Sequence, residues 1–104
     1  MKSHESYIEH GGLKNATHLQ VSVYYSKGGA SCFTGDATPR GFYLSVIPVN
    51  RGKGTVSYTL FSGKSKFLFG VSRFTPKQLD NAVAMAEELK DDLIAAVVAK
   101  NLAA

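Results

Sequence analysis

Phe67-Leu68-Phe69-Gly70-Val71-Ser72-Arg73-Phe74-Thr75-Pro76-Lys77-Gln78-Leu79 is the stretch in which the period of the chain changes, and that change decides the fold. Up to Phe74 apolar residues recur at every second position, the period of a half-buried strand, which points Phe67, Phe69 and Val71 inward. Thr75 then offers a hydroxyl cap, and Pro76 suits a first helical position because its missing N–H would have no partner there. Gln78 completes a capping box. Beyond it Leu79, Val83, Ala86, Leu89, Leu93 and Val97 recur at steps of three and four, the stripe of an amphipathic helix. Asp80, Glu87, Glu88 and Asp91 lie mostly off that stripe. The spacing predicts a helix over 76–103.

Working back from this point, three further strands are expected. In 18–25, Leu19, Val21, Val23 and Tyr25 alternate with His18, Gln20, Ser22 and Tyr24. In 41–49, Phe42, Leu44 and Val46 oppose Tyr43, Ser45 and Ile47, with Pro48 marking a strand end or a bulge. In 55–61, Val56, Tyr58 and Leu60 share a face. Asn50-Arg51-Gly52-Lys53-Gly54 reads as a hairpin loop and Ser62-Gly63-Lys64-Ser65 as a second one, so the fourth strand is 66–74. The expected class is α+β: a four-stranded antiparallel meander followed by one long helix, ββββα, over residues 17–104. Residues 1–16 read as a polar, mobile arm with a Gly11-Gly12 turn. The loop 26–40 is long for a compact domain and could hold a short edge strand at 30–34.

The helix looks too long for its sheet. Residues 76–102 reach roughly 40 Å as a helix, whereas eight-residue strands reach about 26 Å. The overhang carries the apolar run 93–99, so Leu93, Ile94, Val97 and Val98 are expected to meet a second copy in a homodimer.

Charge divides at the same boundary. Residues 10–79 carry nine Lys or Arg against one acid, Asp36, and residues 80–104 are net acidic, within a total of +4. Cys32 is the only cysteine, so no intrachain disulfide can form, and a reducing cytoplasm is the expected setting. The first residues have no apolar core of a signal peptide and no run is long enough to span a bilayer, so no membrane association is expected.

Catalytic and metal signatures are absent from the sequence. Gly63-Lys64-Ser65 lacks the earlier glycine and the following helix of a phosphate loop. His4, His10 and His18, with Glu5 and Glu9, match no zinc spacing. Cys32 with a histidine and Asp36 is the only conceivable nucleophile set, and nothing in the spacing supplies an activating base. No enzyme activity, cofactor or metal is expected.

The remaining constellation is aromatic and basic. The sheet face away from the helix should show Tyr24, Tyr43, Ile47, Phe61 and Leu68, ringed by Arg40, Arg51, Lys53, Lys64 and Lys66. Rings on an open sheet beside cations suit single-stranded nucleic acid, because bases stack and cations follow the phosphates. An acidic protein surface would suit the same face, in an interaction or inhibitor protein.

The layout of four strands, then Phe74-Thr75-Pro76-Lys77-Gln78-Leu79 and a long helix, resembles the Pur-alpha and Whirly type of single-stranded nucleic-acid-binding fold. Arg40-Gly41-Phe42-Tyr43-Leu44-Ser45-Val46 is similar to the second strand of those proteins. The resemblance covers 18–103 in layout and implies strand binding on the sheet and pairing of copies; the loop 26–40 departs from it. The segments Tyr24-Tyr25-Ser26-Lys27-Gly28-Gly29, Phe33-Thr34-Gly35 and Arg40-Gly41-Phe42-Tyr43-Leu44 are also similar to short uncharacterised bacterial proteins of plasmids and phages, a likeness that implies no activity.

Overall fold

The computed structural model describes residues 3–30, 37–52, 55–58 and 63–103. In chain order these form β1 (Ser3–Glu9), β2 (His18–Ser26), β3 (Gly29–Ala30), β4 (Ala37–Thr38), β5 (Gly41–Gly52), β6 (Thr55–Tyr58), β7 (Lys64–Gly70) and α1 (Pro76–Ala103). The class is α+β, an antiparallel sheet followed by one long C-terminal helix. The four expected strands are β2, β5, β6 and β7, in the expected order. The helix begins where the capping box puts it. Gln78 N–H donates to Thr75 Oγ1 at 3.2 Å, and Leu79 N–H to the Thr75 carbonyl at 3.1 Å.

The sheet is organised around β5. One edge of β5 pairs with β2 from Gly41 to Val49. Tyr43 also faces Phe67 of β7 and Val49 also faces Tyr58 of β6, so both of those strands lie on the other edge. They therefore follow one another along β5 instead of folding into a second hairpin. β6 and β7 both run antiparallel to β5, so the hairpin expected at 62–65 does not form between them; position 62 itself lies outside the described residues. Gly63 permits the return. A Cβ there would collide with the Val46 carbonyl oxygen and sit 2.8 Å from the Ile47 Cα, so the chain can lie this close only without a side chain.

The N-terminal residues expected as an arm form an edge strand. β1 pairs with β2 along its whole length, from Ser3↔Tyr24 to Glu9↔His18. Its backbone satisfies the edge of β2, and Ile8 adds to the core. Polar side chains hid this strand, because an edge strand needs little apolar surface. The loop 26–40 holds the small β3–β4 ribbon, with Gly29 facing Thr38 and Ala30 facing Ala37; most of the short strand expected at 30–34 lies outside the described residues.

A β-bulge sets the phase of β7. Phe42 faces Phe69, Tyr43 faces Phe67, and Leu68 is the extra residue between them. Leu68, expected on the open face, is therefore 7% exposed in the core, and Phe67, expected in the core, is 38% exposed. Phe69 and Val71 pack inward as expected.

The core lies between the sheet and α1. Leu19, Val21, Val23, Phe42, Leu44 and Val46 are buried as the alternation predicts; Leu60 lies outside the described residues. Phe42 is fully buried, with ring centroids of Tyr25, Phe69 and Phe74 at 5.5, 5.4 and 6.1 Å. Ala82 and Ala86 are buried against this layer, while Leu79 and Val83 flank it half-buried. Small residues at 82 and 86 let the helix backbone approach the sheet.

The helix does not overhang. β5 has 12 residues, about 40 Å at ~3.3 Å each, and α1 has 28, about 42 Å. Val97 is 1% exposed within one chain, and Leu93, Ile94 and Val98 pack against the same core. Of the four residues expected to meet a second copy, Val97 is thus buried by the chain itself, and Leu93, Ile94 and Val98 are half-buried. The β1–β2 connection closes the end. Leu13 packs on the core, and the buried Asn101 amide brackets Lys14, accepting from its N–H at 2.7 Å and donating to its carbonyl at 3.1 Å. Asn15, at φ 56°, turns the connection back, and its carbonyl accepts from Asn50 Nδ2 at 2.8 Å.

Two stability outcomes follow from this packing. Phe42→Ala should cost about 3–5 kcal/mol in a denaturant melt, because it empties the centre of the ring cluster. Phe67→Ala should cost much less, since that ring is partly solvated. Asn101→Ala should cost about 1–3 kcal/mol by leaving the Lys14 peptide groups without this partner, and faster amide exchange at Lys14 would check it.

Candidate nucleic-acid interface

Strand alternation and register build the face away from α1 in rows. Ser3, Tyr24, Tyr43 and Phe67 form the first, Glu5, Ser22, Ser45 and Ser65 the second, and Tyr7, Gln20 and Ile47 the third. In the first row Tyr24 and Tyr43 are stacked, with centroids 5.7 Å apart and planes at 16°. Phe67 meets Tyr43 edge-on at 5.2 Å. Tyr43 Oη donates to the Pro39 carbonyl at 2.6 Å, which fixes its ring toward the strand end. The serines of the second row are small and leave a shallow groove of about 420 Å³, lined by Glu5, Gln20, Ser22, Tyr24, Ser45 and Ile47 among others. In the third row the Arg51 guanidinium carbon lies 4.4 Å from the Tyr7 ring centroid, a cation–π contact, and Gln20 Nε2 donates to Tyr7 Oη at 3.2 Å.

Cations gather at the end of the sheet next to the first row. Arg40 donates from Nε to the Lys27 carbonyl and from Nη1 to the Ser72 carbonyl, each at 3.1 Å. These bonds tie the β2 exit, the β5 entry and the β7–α1 connection together. Lys27, Arg40, Arg73 and Lys77 are all exposed there. The first turn of α1 holds no acid, so the positive end of the helix dipole adds to the same sign.

The structure thus brings Tyr24, Tyr43 and Arg40 together, and Arg51 reaches the same face only at the third row, through its contact with Tyr7. Lys53 and Phe61 lie outside the described residues. Lys64 and Lys66 are on the other face: they pair with Val46 and Leu44, inward positions, and line a crevice with Leu89, Asp92, Leu93 and Ala96. The bulge at Leu68 sets that phase. Phe67, Tyr7, Glu5, Lys27 and Arg73 belong to the surface and were not expected there. The run Phe67-Leu68-Phe69 is the one sequence signal that could have found the first of these, since three successive large apolar residues do not fit strict alternation.

Among the described residues no three of His, Cys, Asp and Glu converge as metal ligands. His10 Nδ1 instead accepts from Gly12 N–H at 3.3 Å, and the His18 ring bonds Thr17 Oγ1 at 2.8 Å. No described helix is long and apolar enough to cross a membrane. No family model matches the chain, and neither any curated protein nor any solved structure is significantly similar to it.

Burial, and secondarily the neighbouring Tyr43, raise the Tyr24 phenol above the ordinary 10.0. The folded state therefore holds this proton more tightly than the unfolded state. That contribution is complete below about pH 10 and is lost as pH rises through the folded pKa. Between about pH 9 and about pH 11, urea melts should show a smaller loss of stability for Tyr24→Phe than for the unaltered protein.

Proposed function

We propose that this protein is a binding module, not an enzyme, and that it takes single-stranded nucleic acid across the first row and the cationic end. The observation that carries the reading is the ring row of half-buried Tyr24 and Tyr43 and exposed Phe67, bordered by Lys27, Arg40 and Arg73. Rings on a rigid sheet accept bases at roughly 1–3 kcal/mol per stacked base. Cations at the strand ends then meet the phosphates, so the two parts of the ligand go to two parts of one surface. A cytoplasmic location goes with this reading, and so does the layout-level resemblance to the Pur-alpha and Whirly fold. An acidic protein partner would use the same cations without needing the rings.

The test separates charge from stacking. Affinity for a labelled oligonucleotide should fall steeply with salt, as bound phosphates release counterions. Lys27→Glu with Arg73→Glu should weaken every sequence by a similar factor and flatten the salt slope. Tyr43→Ala should weaken binding at an unchanged slope. Lys64→Glu with Lys66→Glu, on the other face, should do little. A protein that binds no strand of about 20 nucleotides at low salt, yet pulls down an acidic partner, would replace this reading with the protein-binding one.

A further inference from the structure

One feature of the open face runs against a purely electrostatic strand binder. Glu5 lines the groove beside Tyr24, where a carboxylate repels phosphates. Its place relative to the ring row is specific. One side of the Tyr24 ring lies against Tyr43, and on the other side the cross-strand partner is Ser3, whose side chain is a single hydroxymethyl group. The stack of Tyr43 and Tyr24 therefore ends above a small residue, with room for another flat ring. Glu5 is two residues further along β1 on the same face, about 7 Å away at ~3.3 Å per residue. That is the reach of half a purine plus one hydrogen bond of about 3 Å.

We infer that this slot is a guanine site, in which the base stacks on Tyr24 above Ser3 and donates its N1–H and N2–H to the Glu5 carboxylate. The inference rests on the nucleic-acid reading above and gives it a base preference. The chemistry selects among the bases. A carboxylate only accepts, and its two oxygens match two adjacent donors. Guanine presents such a pair on its Watson–Crick edge. Cytosine and adenine present one amine beside an acceptor, and thymine one N–H between two carbonyls. Ser22, the cross-strand partner of Glu5, offers a hydroxyl donor on the groove floor beside it. Phosphates are kept to the cationic end, away from the acid. Glu5 is then a specificity device: it lowers affinity for strands without guanine and raises it for strands with it.

Fluorescence anisotropy with labelled strands of about 15 nucleotides tests this. One strand is all thymine, a second carries isolated guanines, and a third has hypoxanthine, which lacks the N2 amine, in their place. The guanine strand should bind about tenfold tighter than the hypoxanthine strand, the discrimination of one bidentate contact. Glu5→Gln should cut that ratio to within about twofold while strengthening binding to the all-thymine strand, since the repulsion is gone. This crossed effect is not one that misfolding would give. Ser3→Phe, which fills the slot, should also remove the guanine preference. Equal binding of the guanine and hypoxanthine strands, or a preference that survives both substitutions, overturns the guanine site alone. Failure to bind any of the three strands overturns the nucleic-acid reading and this site with it.

Discussion

The β-bulge opposite Phe42 and Tyr43 is the constraint on which both faces of the sheet depend. Because side chains alternate along a strand, a slip of one residue exchanges every inward group for an outward one. The extra residue, Leu68, lets β7 change phase once. Beyond it Phe69 meets the buried Phe42. Before it Phe67 stands outside against Tyr43. One irregularity thus closes the core with two large residues and supplies a ring to the surface row.

The same phase change explains where the charge lies. Lys64 and Lys66 belong to the part of β7 that pairs with inward positions of β5, so their ammonium groups border α1 and not the rings. The basic edge of the open face comes from connections instead. Arg40 carries little sequence signal beyond its charge, yet its two bonds to backbone carbonyls draw Lys27 and the Ser72–Arg73 turn together. Structural bonding by one arginine and exposure of its neighbours are two results of the same geometry.

The far end of the molecule is held by polar groups. Asn101 replaces a missing backbone neighbour for Lys14 by matching both its donor and its acceptor. Thr17 extends the tie to β5: its N–H donates to the Val49 carbonyl at 3.0 Å and its hydroxyl accepts from Arg51 N–H at 2.9 Å. The β1–β2 connection is therefore bonded to the helix and to the central strand at once. This closure buries Val97 and Asn101 within one chain, while Leu102 stays exposed.

The class and its principal boundaries are legible in local pattern. Alternation in 18–25 and 41–49, and the change to a helical period at Thr75–Pro76, are local signals, because strand faces and helix caps are written in neighbouring residues. Tyr24 and Tyr43 were legible as an outward pair for that reason. Tertiary structure decided what depends on register and pairing: that Ser3–Glu9 completes an edge, that β7 follows β6 along β5, that Phe67 and Leu68 exchange faces, and that Lys27 and Arg73 join Arg40 while Lys64 and Lys66 do not. It also decided that the helix matches its sheet, because the reach of β5 passes through Pro48 and Arg51, where composition alone signals a strand end. These features are set by contacts between residues far apart in the chain, and a one-residue offset, invisible in composition, is enough to reverse them.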